Sequence, residues 1–439
     1  MYLNWVKFDH FRSFREADIS LVHPDQDFQT LKIPRPKLPN INIILGNNGR
    51  GKSAFLKGIA LAALGPAVGD AGIYPYRLVR REIPRGSKKP TKNGAPSKTL
   101  SLVFKFKGFR PDPSVDAKGS VVAHFMAHPQ DLVPKGIRLD STIEIESIND
   151  LERLKWAGRQ EKEAWSPIFS AASDAFFFVG YGATRRVERT GNVDAGGRSA
   201  SSFVRAQRIR SLFEESYSLI PLNYWLPKMA KTSPTRHAQV IQLINRLMGR
   251  GHLQFAAEME GDEYLFAKRG LKIPFPALSD GYRAYLGWVG DLLYHVCMTC
   301  PPGKKLSENR GIVMVDEIDL HLHPKWQLDV LPTIARALPN LQFIVTSHSP
   351  LLVGSLEWMN VIVMRGDARE ASVPVRIEAA IHGLDADQIL LTDLFGLEST
   401  RASSKTRQLK DLTLQARGGN LEAAKQLMVE MSRGLEEPK

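Results

Sequence analysis

The sequence of 439 residues predicts an α/β fold with a mixed central sheet. Three short apolar runs, residues 41–45, 312–315 and 341–346, have the length and composition of buried parallel strands. A glycine-rich turn follows the first run, and residues 54–64 then show the spacing of an apolar-faced helix. The other two runs end in polar residues, which is where sheets of this class place their functional groups.

The turn after the first strand fits the phosphate-loop pattern G-x-x-x-x-G-K-[ST] with Gly46-Asn47-Asn48-Gly49-Arg50-Gly51-Lys52-Ser53. Its glycines let the backbone curl so that N–H groups face phosphates, and the helix N-terminus adds positive potential. Lys52 is expected to reach the β- and γ-phosphates of ATP and Ser53 to hold Mg²⁺, with Ala54 completing the loop. A chance match has a probability of roughly one or two per cent in a chain this long.

The second strand ends in two adjacent carboxylates, Asp316 and Glu317, as a Walker B strand does. Asp316 is expected to orient Mg²⁺, and Glu317 to polarise the attacking water. A solvated strand end explains paired acids about as well when they are considered alone. The phosphate loop favours the catalytic interpretation.

The third strand ends in a Ser-His-Ser-Pro sequence that contains His348. A histidine at such a strand end can hydrogen-bond a γ-phosphate, although a lone histidine is more often structural. Its position after the Walker B strand favours the phosphate contact.

Ser279 and Gly281 begin a long apolar helix predicted to run to about His295. A serine-capped helix N-terminus can receive an anion, and an ordinary N-cap is the alternative explanation. The place of this helix between the phosphate loop and the Walker B strand favours anion binding.

Together these elements resemble the ATP-binding-cassette (ABC) type of ATPase, in which Leu278-Ser279-Asp280-Gly281 matches the L-S-x-G signature and His348 the switch histidine. Residues 5–14 and 316–324 are similar to the soluble branch that includes RecF, SMC-like ATPases, OLD proteins and the ATPase subunits of anti-phage systems such as Septu and PARIS. The resemblance covers residues 1–64, about 176–186 and 275–365.

In that family two subunits dimerise head to tail, so the resemblance implies that Ser279 and Gly281 act in trans on the ATP held by the partner. It also implies an N-terminal antiparallel β portion, an inserted helical lobe and a C-terminal helical tail. The expected domains are lobe I at 1–190 with a basic and β insertion at about 70–175, the helical lobe at 191–275, lobe II at 276–365 and a partner-docking region at 366–439.

The apolar run at 175–180 predicts a strand that leads into Tyr181 and the pair Arg185 and Arg186. The segment occupies the family's Q-loop position without a glutamine. Arg185 or Arg186 could contact phosphate, and an ordinary surface pair is the favoured explanation.

The rest of the chain gives weaker patterns. They predict strand-like runs at 100–106 and 141–145, a flexible Gly- and Ser-rich segment at 191–203, helices at 203–219 and 237–248, and an amphipathic helix at 422–435.

A D-x-D sequence at Asp385 and Asp387 invites comparison with the catalytic domain that OLD-type nucleases add to this ATPase core. The catalytic acids of that domain follow apolar strands, whereas residues 381–384 do not form a strand pattern. A loop and helix cap is favoured, and no nuclease domain is expected.

Charge favours a polyanionic partner, because 59 basic and 46 acidic residues give a net charge of +13. Part of the excess lies in a stretch broken by prolines and glycines, with Arg77, Arg80, Arg81, Arg85, Lys88, Lys89, Lys92 and Lys98. Such a loop could bind nucleic acid, and a merely solvated loop explains it nearly as well, since no aromatic residue interleaves with residues 88–98.

The two cysteines, Cys297 and Cys300, form a C-x-x-C pair without further ligands, so reduced thiols are favoured and no metal except nucleotide-bound Mg²⁺ is expected. No apolar run reaches membrane-spanning length and no signal-peptide pattern is present, which predicts a cytoplasmic protein without membrane partners.

The sequence therefore predicts a dimeric ATPase, or a higher oligomer of such dimers, that controls a separate nuclease or toxin in anti-phage defence. The alternative is a RecF-like DNA-binding ATPase of repair or recombination. A transporter ATPase is disfavoured by residues 5–14 and 316–324.

Overall fold

The structure, a computed structural model, describes residues 1–69, 71–73, 78–80, 117–133, 138–148, 151–157, 168, 175–187, 204–249, 253–368, 370–397, 399–400 and 403–432. The chain divides into two compact units, Met1–His382 and Gly383–Lys439. Among the described helices, none is long and apolar enough to cross a membrane.

The strands of the described residues are β1 (Tyr2–Asp9), β2 (Glu16–Ser20), β3 (Ile41–Leu45), β4 (Ala117–Met126), β5 (Arg138–Ile148), β6 (Leu151–Trp156), β7 (Phe178–Tyr181), β8 (Arg186–Val187), β9 (Ser218–Leu219), β10 (Leu253–Glu260), β11 (Glu263–Lys268), β12 (Leu271–Pro274), β13 (Gly311–Val315), β14 (Leu341–Thr346), β15 (Val361–Gly366) and β16 (Ser372–Val375). The α-helices are α1 (Lys52–Leu64), α2 (Val204–Ile209), α3 (Leu222–Thr232), α4 (Pro234–Leu247), α5 (Asp280–Thr299), α6 (Pro324–Ala337), α7 (Ala386–Leu391), α8 (Ser403–Arg417) and α9 (Leu421–Ser432).

The central sheet of the first unit has the order β16-β15-β3-β14-β13-β7. All its pairs are parallel except β15 with β16, and every residue of β3, β7, β13 and β14 is buried. Because parallel strands end at one edge of a sheet, the turns after these four strands meet there. The mixed sheet confirms the predicted fold class and places the predicted motifs together.

A second, antiparallel sheet has the order β2-β1-β4-β5-β6 and confirms the N-terminal antiparallel portion. Helix α1 shares one hydrophobic core with both sheets. A β-carbon on Gly58 of α1 would lie 2.4 Å from the Phe8 ring, so α1 approaches β1 very closely. Phe8 in turn stacks on Phe14, with ring centroids 4.6 Å apart. The phosphate-loop helix is therefore fixed from both sides.

The inserted lobe contains α2 to α4 and leads through three strands to α5. The helix predicted at 203–219 is wrong in its second half, because α2 ends at Ile209, a 3-10 turn follows, and β9 pairs in parallel with β8. The apolar spacing of that half suited a helix, and strand pairing with a distant segment overrode it. The helix predicted at 237–248 is confirmed within α4.

The antiparallel sheet β10-β11-β12 of this lobe was not predicted. Its second turn has positive φ at Arg269 (51°) and Gly270 (82°), as a type I′ hairpin turn requires. The Arg-Gly pair was therefore an available signal for the hairpin.

In the second unit Asp385 is the N-cap of α7 and shares a capping box with Gln388, which confirms the loop and helix cap. The predicted amphipathic helix is α9, whereas α8 was not predicted. The strand-like run at 100–106, the Gly- and Ser-rich segment at 191–203, and Arg77 with the basic residues at 81–98 lie outside the described residues.

Candidate functional site

The phosphate loop joins β3 to α1 and turns at glycines with positive φ. Gly51 has φ +84°, and a β-carbon there would lie 2.1 Å from Ser13 Oγ. Glycine is therefore required at this position by both conformation and space. Ser53 is half-buried in the first turn of α1, next to the buried Ala54.

Lys52 points back into this loop. Its Nζ donates to the carbonyl oxygens of Gly46 (2.8 Å) and Asn47 (3.2 Å), and the residue is 7% exposed. Burial lowers the pKa of Lys52, while the charges of nearby carboxylates raise it. By contrast, the Arg50 guanidinium points away from the loop interior and lies 2.7 Å from the exposed Glu370 carboxylate. Asn48 and Gly49 at the loop tip are exposed.

The two predicted Walker B carboxylates follow β13 directly and are held by the neighbouring strands. The amide of Asp316 donates to the Tyr181 carbonyl (2.8 Å), and Thr346 Oγ1 donates to Asp316 Oδ1 (2.5 Å). The same hydroxyl accepts from the amide of Glu317 (2.8 Å). Thr346 thus fixes both acidic residues, although its sequence position alone gives no such role.

His348 lies on the same edge, just after β14. Burial lowers its pKa, and the positive charge of Lys52 lowers it further. The carboxylates of Asp316, Glu317 and Asp319 act on it in the opposite direction. The structure therefore brings Lys52, both Walker B acids and His348 close enough for their charges to act on one another.

Asp319 is a member of this cluster that was not predicted. Its charge also acts on Lys52, and its Oδ1 is buried with no hydrogen-bond partner among the described residues. The spacing Asp-Glu-Ile-Asp was the available signal, since it places a third acid within one turn of the Walker B strand end.

Ser279 is exposed at the N-terminus of α5. It has the extended backbone of an N-cap, but its side chain makes no capping hydrogen bond, and the carboxylate of Asp280 pairs instead with Arg283. A β-carbon on Gly281 would lie 2.4 Å from the carbonyl oxygen of His321. The signature residues thus pack against the loop that follows Glu317, and no hydrogen bond between described residues joins Ser279 to residues 46–53.

Comparison with known proteins decides the family. A family model described as "AAA domain, putative AbiEii toxin, Type IV TA system" matches residues 131–354, just over half of the chain. The chain belongs to this family. The matched segment contains the signature, both Walker B acids and His348, and it begins after the phosphate loop.

Three relatives illustrate the match. Retron Ec83 probable ATPase of Escherichia coli is 31% identical over 114 residues, which are 26% of this chain and 21% of that protein. Septu protein PtuA of Bacillus mycoides (strain KBAB4) is 32% identical over 124 residues, 28% of this chain and 17% of that protein. Septu protein PtuA of Bacillus thuringiensis is 32% identical over 139 residues, 30% of this chain and 34% of that protein. The match thus spans about a sixth to a third of the length of these relatives.

Among solved structures, the SmcHead bound to the C-winged helix domain of ScpA aligns over 87% of this chain and 98% of that chain, at 16% identity and a TM-score of 0.48. The family and the sequence relatives confirm the predicted resemblance to ABC-type P-loop ATPases of anti-phage systems.

A buried network joins the signature helix of this AAA-family chain to the central sheet. The Tyr181 hydroxyl donates to Asp291 Oδ2 (2.8 Å), and the amide of Ile220 donates to Asp291 Oδ1 (2.8 Å). Burial raises the pKa of Asp291, but His295 and these two donors together lower it more. The carbonyl of Tyr181 accepts from Asp316, so one residue contacts both the Walker B end and α5.

The predicted surface pair of arginines is wrong for Arg185, which is 5% exposed, whereas Arg186 is exposed. Arg185 Nη2 donates to the carbonyl oxygen of Glu317 (2.6 Å), and its Nε is buried without a partner among the described residues. Burial lowers the pKa of Arg185 to about 10, which leaves it charged at neutral pH. The sequence pattern could not distinguish the two neighbours.

A cleft of about 400 Å³ lies beside Arg185 and is lined by residues of α5, β11 and the start of α3.

Cys297 and Cys300 are free thiols at the end of α5. The described residues contain no group of three or more His, Cys, Asp or Glu side chains that could hold a metal ion.

Proposed function

We propose that this chain binds and hydrolyses ATP as a head-to-tail dimer and thereby regulates a separate effector, a nuclease or toxin, in bacterial anti-phage defence. The observation that carries the proposal is the convergence of Lys52, Asp316, Glu317 and His348 on one sheet edge, close enough for their charges to act on one another. A lysine ammonium, an imidazole and adjacent carboxylates at strand ends suit a triphosphate, a divalent ion and an activated water.

The residues of the site fit Mg²⁺ and ATP. The loop carries glycines at positive φ, and the Lys52 ammonium is turned toward the loop carbonyls, where phosphate oxygens can replace them as acceptors. Magnesium is usually held by one or two protein ligands together with phosphates, which the Ser53 hydroxyl and the Asp316 carboxylate can supply. When bound, the ion neutralises charge on the phosphates.

Within the site, each residue has a separate task. Lys52 binds the phosphates, and Glu317 accepts a proton from the attacking water. His348 is neutral at physiological pH because its pKa is lowered, so one ring nitrogen can donate to the γ-phosphate while the other accepts. Exposed Ser279, at a helix N-terminus, is free to contact the phosphates bound by a second copy.

The defence role is supported by the relatives, which are named Septu protein PtuA and retron probable ATPases. The D-x-D sequence at Asp385 forms the N-cap of a short helix, so we assign it no nuclease role. Regulation of a separate effector is the part of the proposal that copurification tests.

Equilibrium ATP binding and single-turnover hydrolysis test the enzymatic part. The Glu317→Gln variant should bind ATP normally and hydrolyse it at least about a hundredfold more slowly, because an amide does not accept the proton. Lys52→Ala should lose binding. Unchanged hydrolysis by Glu317→Gln contradicts the assignment of the base.

Copurification at mild salt tests the partner. We expect a second protein encoded beside this chain to copurify and to raise ATP turnover. Stimulation by duplex DNA alone, without a second protein, would instead support the RecF-like alternative.

A further inference from the structure

We infer that Arg185 is a positioning residue that fixes the main chain of Glu317 and thereby aims its carboxylate. The inference rests on the proposed function, because it assumes that Glu317 is the base. The carrying observation is the hydrogen bond from the buried guanidinium to the Glu317 carbonyl oxygen.

Glu317 has an unusual backbone. Its φ of +48° lies in the left-handed region, which a non-glycine residue occupies at a cost of about 1–3 kcal/mol. Such a conformation persists only where the surroundings hold it. The direction in which the Glu317 side chain leaves the strand end therefore depends on the groups that bind its two peptide groups.

Both peptide groups of Glu317 are bound by side chains from other segments. The amide donates to Thr346 Oγ1 (2.8 Å) at the end of β14, and the carbonyl accepts from Arg185 (2.6 Å) beyond the end of β7. The same carbonyl also accepts from the amide of Leu320 (3.0 Å) within its own turn, so Arg185 is its partner from outside the turn. The Arg185 bond is charge-assisted and part-buried, and charge-assisted bonds are the stronger ones. With the amide and the carbonyl of Glu317 both bound, the position of its α-carbon and the direction of its side chain are defined.

The segment before Arg185 is closely packed. The amide of Gly182 donates to Ser211 Oγ (3.2 Å), and a β-carbon on Gly182 would lie 2.2 Å from the Ser211 carbonyl oxygen. Arg185 also has a positive φ, of 34°. This backbone directs the side chain inward, whereas its neighbour Arg186 is exposed.

Electrostatics explains why an arginine is tolerated there. Burying a guanidinium is costly, and the carboxylates of Asp316, Asp319 and Glu317 all stabilise its charge. The same charge offsets repulsion among those three acids. Arg185 therefore supports the carboxylates that follow β13, and no hydrogen bond between described residues joins it to the phosphate loop.

The experiment compares Arg185→Gln, Arg185→Lys and the matched control Arg186→Gln in the full chain. ATP affinity is measured at equilibrium, and hydrolysis is measured in single turnover. Arg185→Gln should lower the hydrolysis rate about 10- to 100-fold, because small displacements of a reacting group cost that much. Its ATP affinity should stay within about threefold, because Lys52 and its loop are untouched.

Arg185→Lys keeps the charge and one donor, so it should recover part of the lost rate, and Arg186→Gln should remain within about twofold of the wild type. If Arg185→Gln does not fold, the rate and affinity of Arg185→Lys relative to Arg186→Gln supply the same comparison. A wild-type rate in the Arg185 variants, or an affinity loss as large as the rate loss, overturns the inference.

A double variant separates this inference from the proposed function. Glu317→Gln with Arg185→Gln should be no slower than Glu317→Gln alone, because the arginine acts through that carboxylate. A further loss of about tenfold or more in the double variant contradicts positioning. Wild-type turnover by Glu317→Gln alone would instead remove the proposed base, whatever Arg185 does.

Discussion

The candidate site has two ends, the phosphate loop and the carboxylates after β13, and residues with a left-handed backbone conformation occur at both for different reasons. At the phosphate loop the residues with positive φ are glycines, including Gly49 (+77°) and Gly51 (+84°), which adopt it without a steric penalty. At the carboxylate end they are Glu317 (+48°) and His321 (+66°), for which the conformation is costly. Side chains from β14 and from Arg185 hold Glu317 there.

The difference indicates how each end depends on the rest of the molecule. The loop shape is encoded locally, whereas the position of the base depends on contacts from distant segments. Substitutions should therefore damage ATP binding at the first end and ATP hydrolysis at the second.

The largest effect is expected from Gly51→Ala. The new β-carbon would lie 2.1 Å from Ser13 Oγ, so the Ser13 side chain or the loop must shift, and the positive φ is strained for alanine in either case. We expect ATP affinity, measured by calorimetry, to fall by about 100-fold, or about 2.7 kcal/mol. Gly49→Ala is the matched control, since its φ is similar but no atom lies within 4 Å of the added carbon. Equal losses in the two variants would show that the clash is unimportant.

Thr346→Val should have the next largest effect and should act on the other end. The substitution removes the hydroxyl that binds both Asp316 and the amide of Glu317, while Thr346→Ser retains it. We expect single-turnover hydrolysis to slow by about tenfold or more in the valine variant, and ATP affinity to change less. If the valine variant binds ATP more weakly but hydrolyses it at the wild-type rate, the assignment of hydrolysis to the carboxylate end is wrong.

Tyr181→Phe should destabilise the fold more than it alters the site. It removes a donor to the buried carboxylate of Asp291 but keeps the carbonyl that accepts from Asp316. Urea unfolding should show a loss of about 1.5–3 kcal/mol. Tyr285→Phe is the control, because that hydroxyl donates to the neutral carbonyl of Leu247 and should cost only about 1 kcal/mol. An equal loss of unfolding free energy in both variants would show that the charge of the Asp291 carboxylate does not strengthen its hydrogen bond with Tyr181.

The smallest effect concerns pH and a residue remote from both ends. Burial lowers the pKa of His23 to about 4, so the unfolded chain takes up its proton first as the pH falls below 6.5. Unfolding free energy should therefore decrease, by about 1 kcal/mol between pH 7 and 5.5, and decline further toward pH 4. His23→Phe should remove this part of the pH dependence without changing ATP affinity at pH 7. A pH dependence as steep as the wild type's would exclude His23 as its source.

The site residues that belong to local sequence motifs could be predicted from the sequence. Lys52, Asp316 and His348 follow recognisable strands, and parallel strands bring their ends together, so their convergence could be foreseen. The burial of Arg185 could not be foreseen, because Arg186 beside it has the same chemistry, and which of the two is buried depends on the backbone, which has a φ of +34° at Arg185. The strand β9 was missed for a similar reason, since its pairing with β8 depends on contacts far along the chain.

The central claim is that two copies enclose ATP, each contributing Ser279 to the site of the other. Light scattering of the Glu317→Gln variant with Mg²⁺ and ATP tests it most directly, alongside Glu317→Gln combined with Ser279→Arg. We predict an ATP-dependent dimer for the first variant and a monomer that still binds ATP for the second. A dimer that forms equally well with arginine at position 279, or no dimer in either variant, would contradict the account.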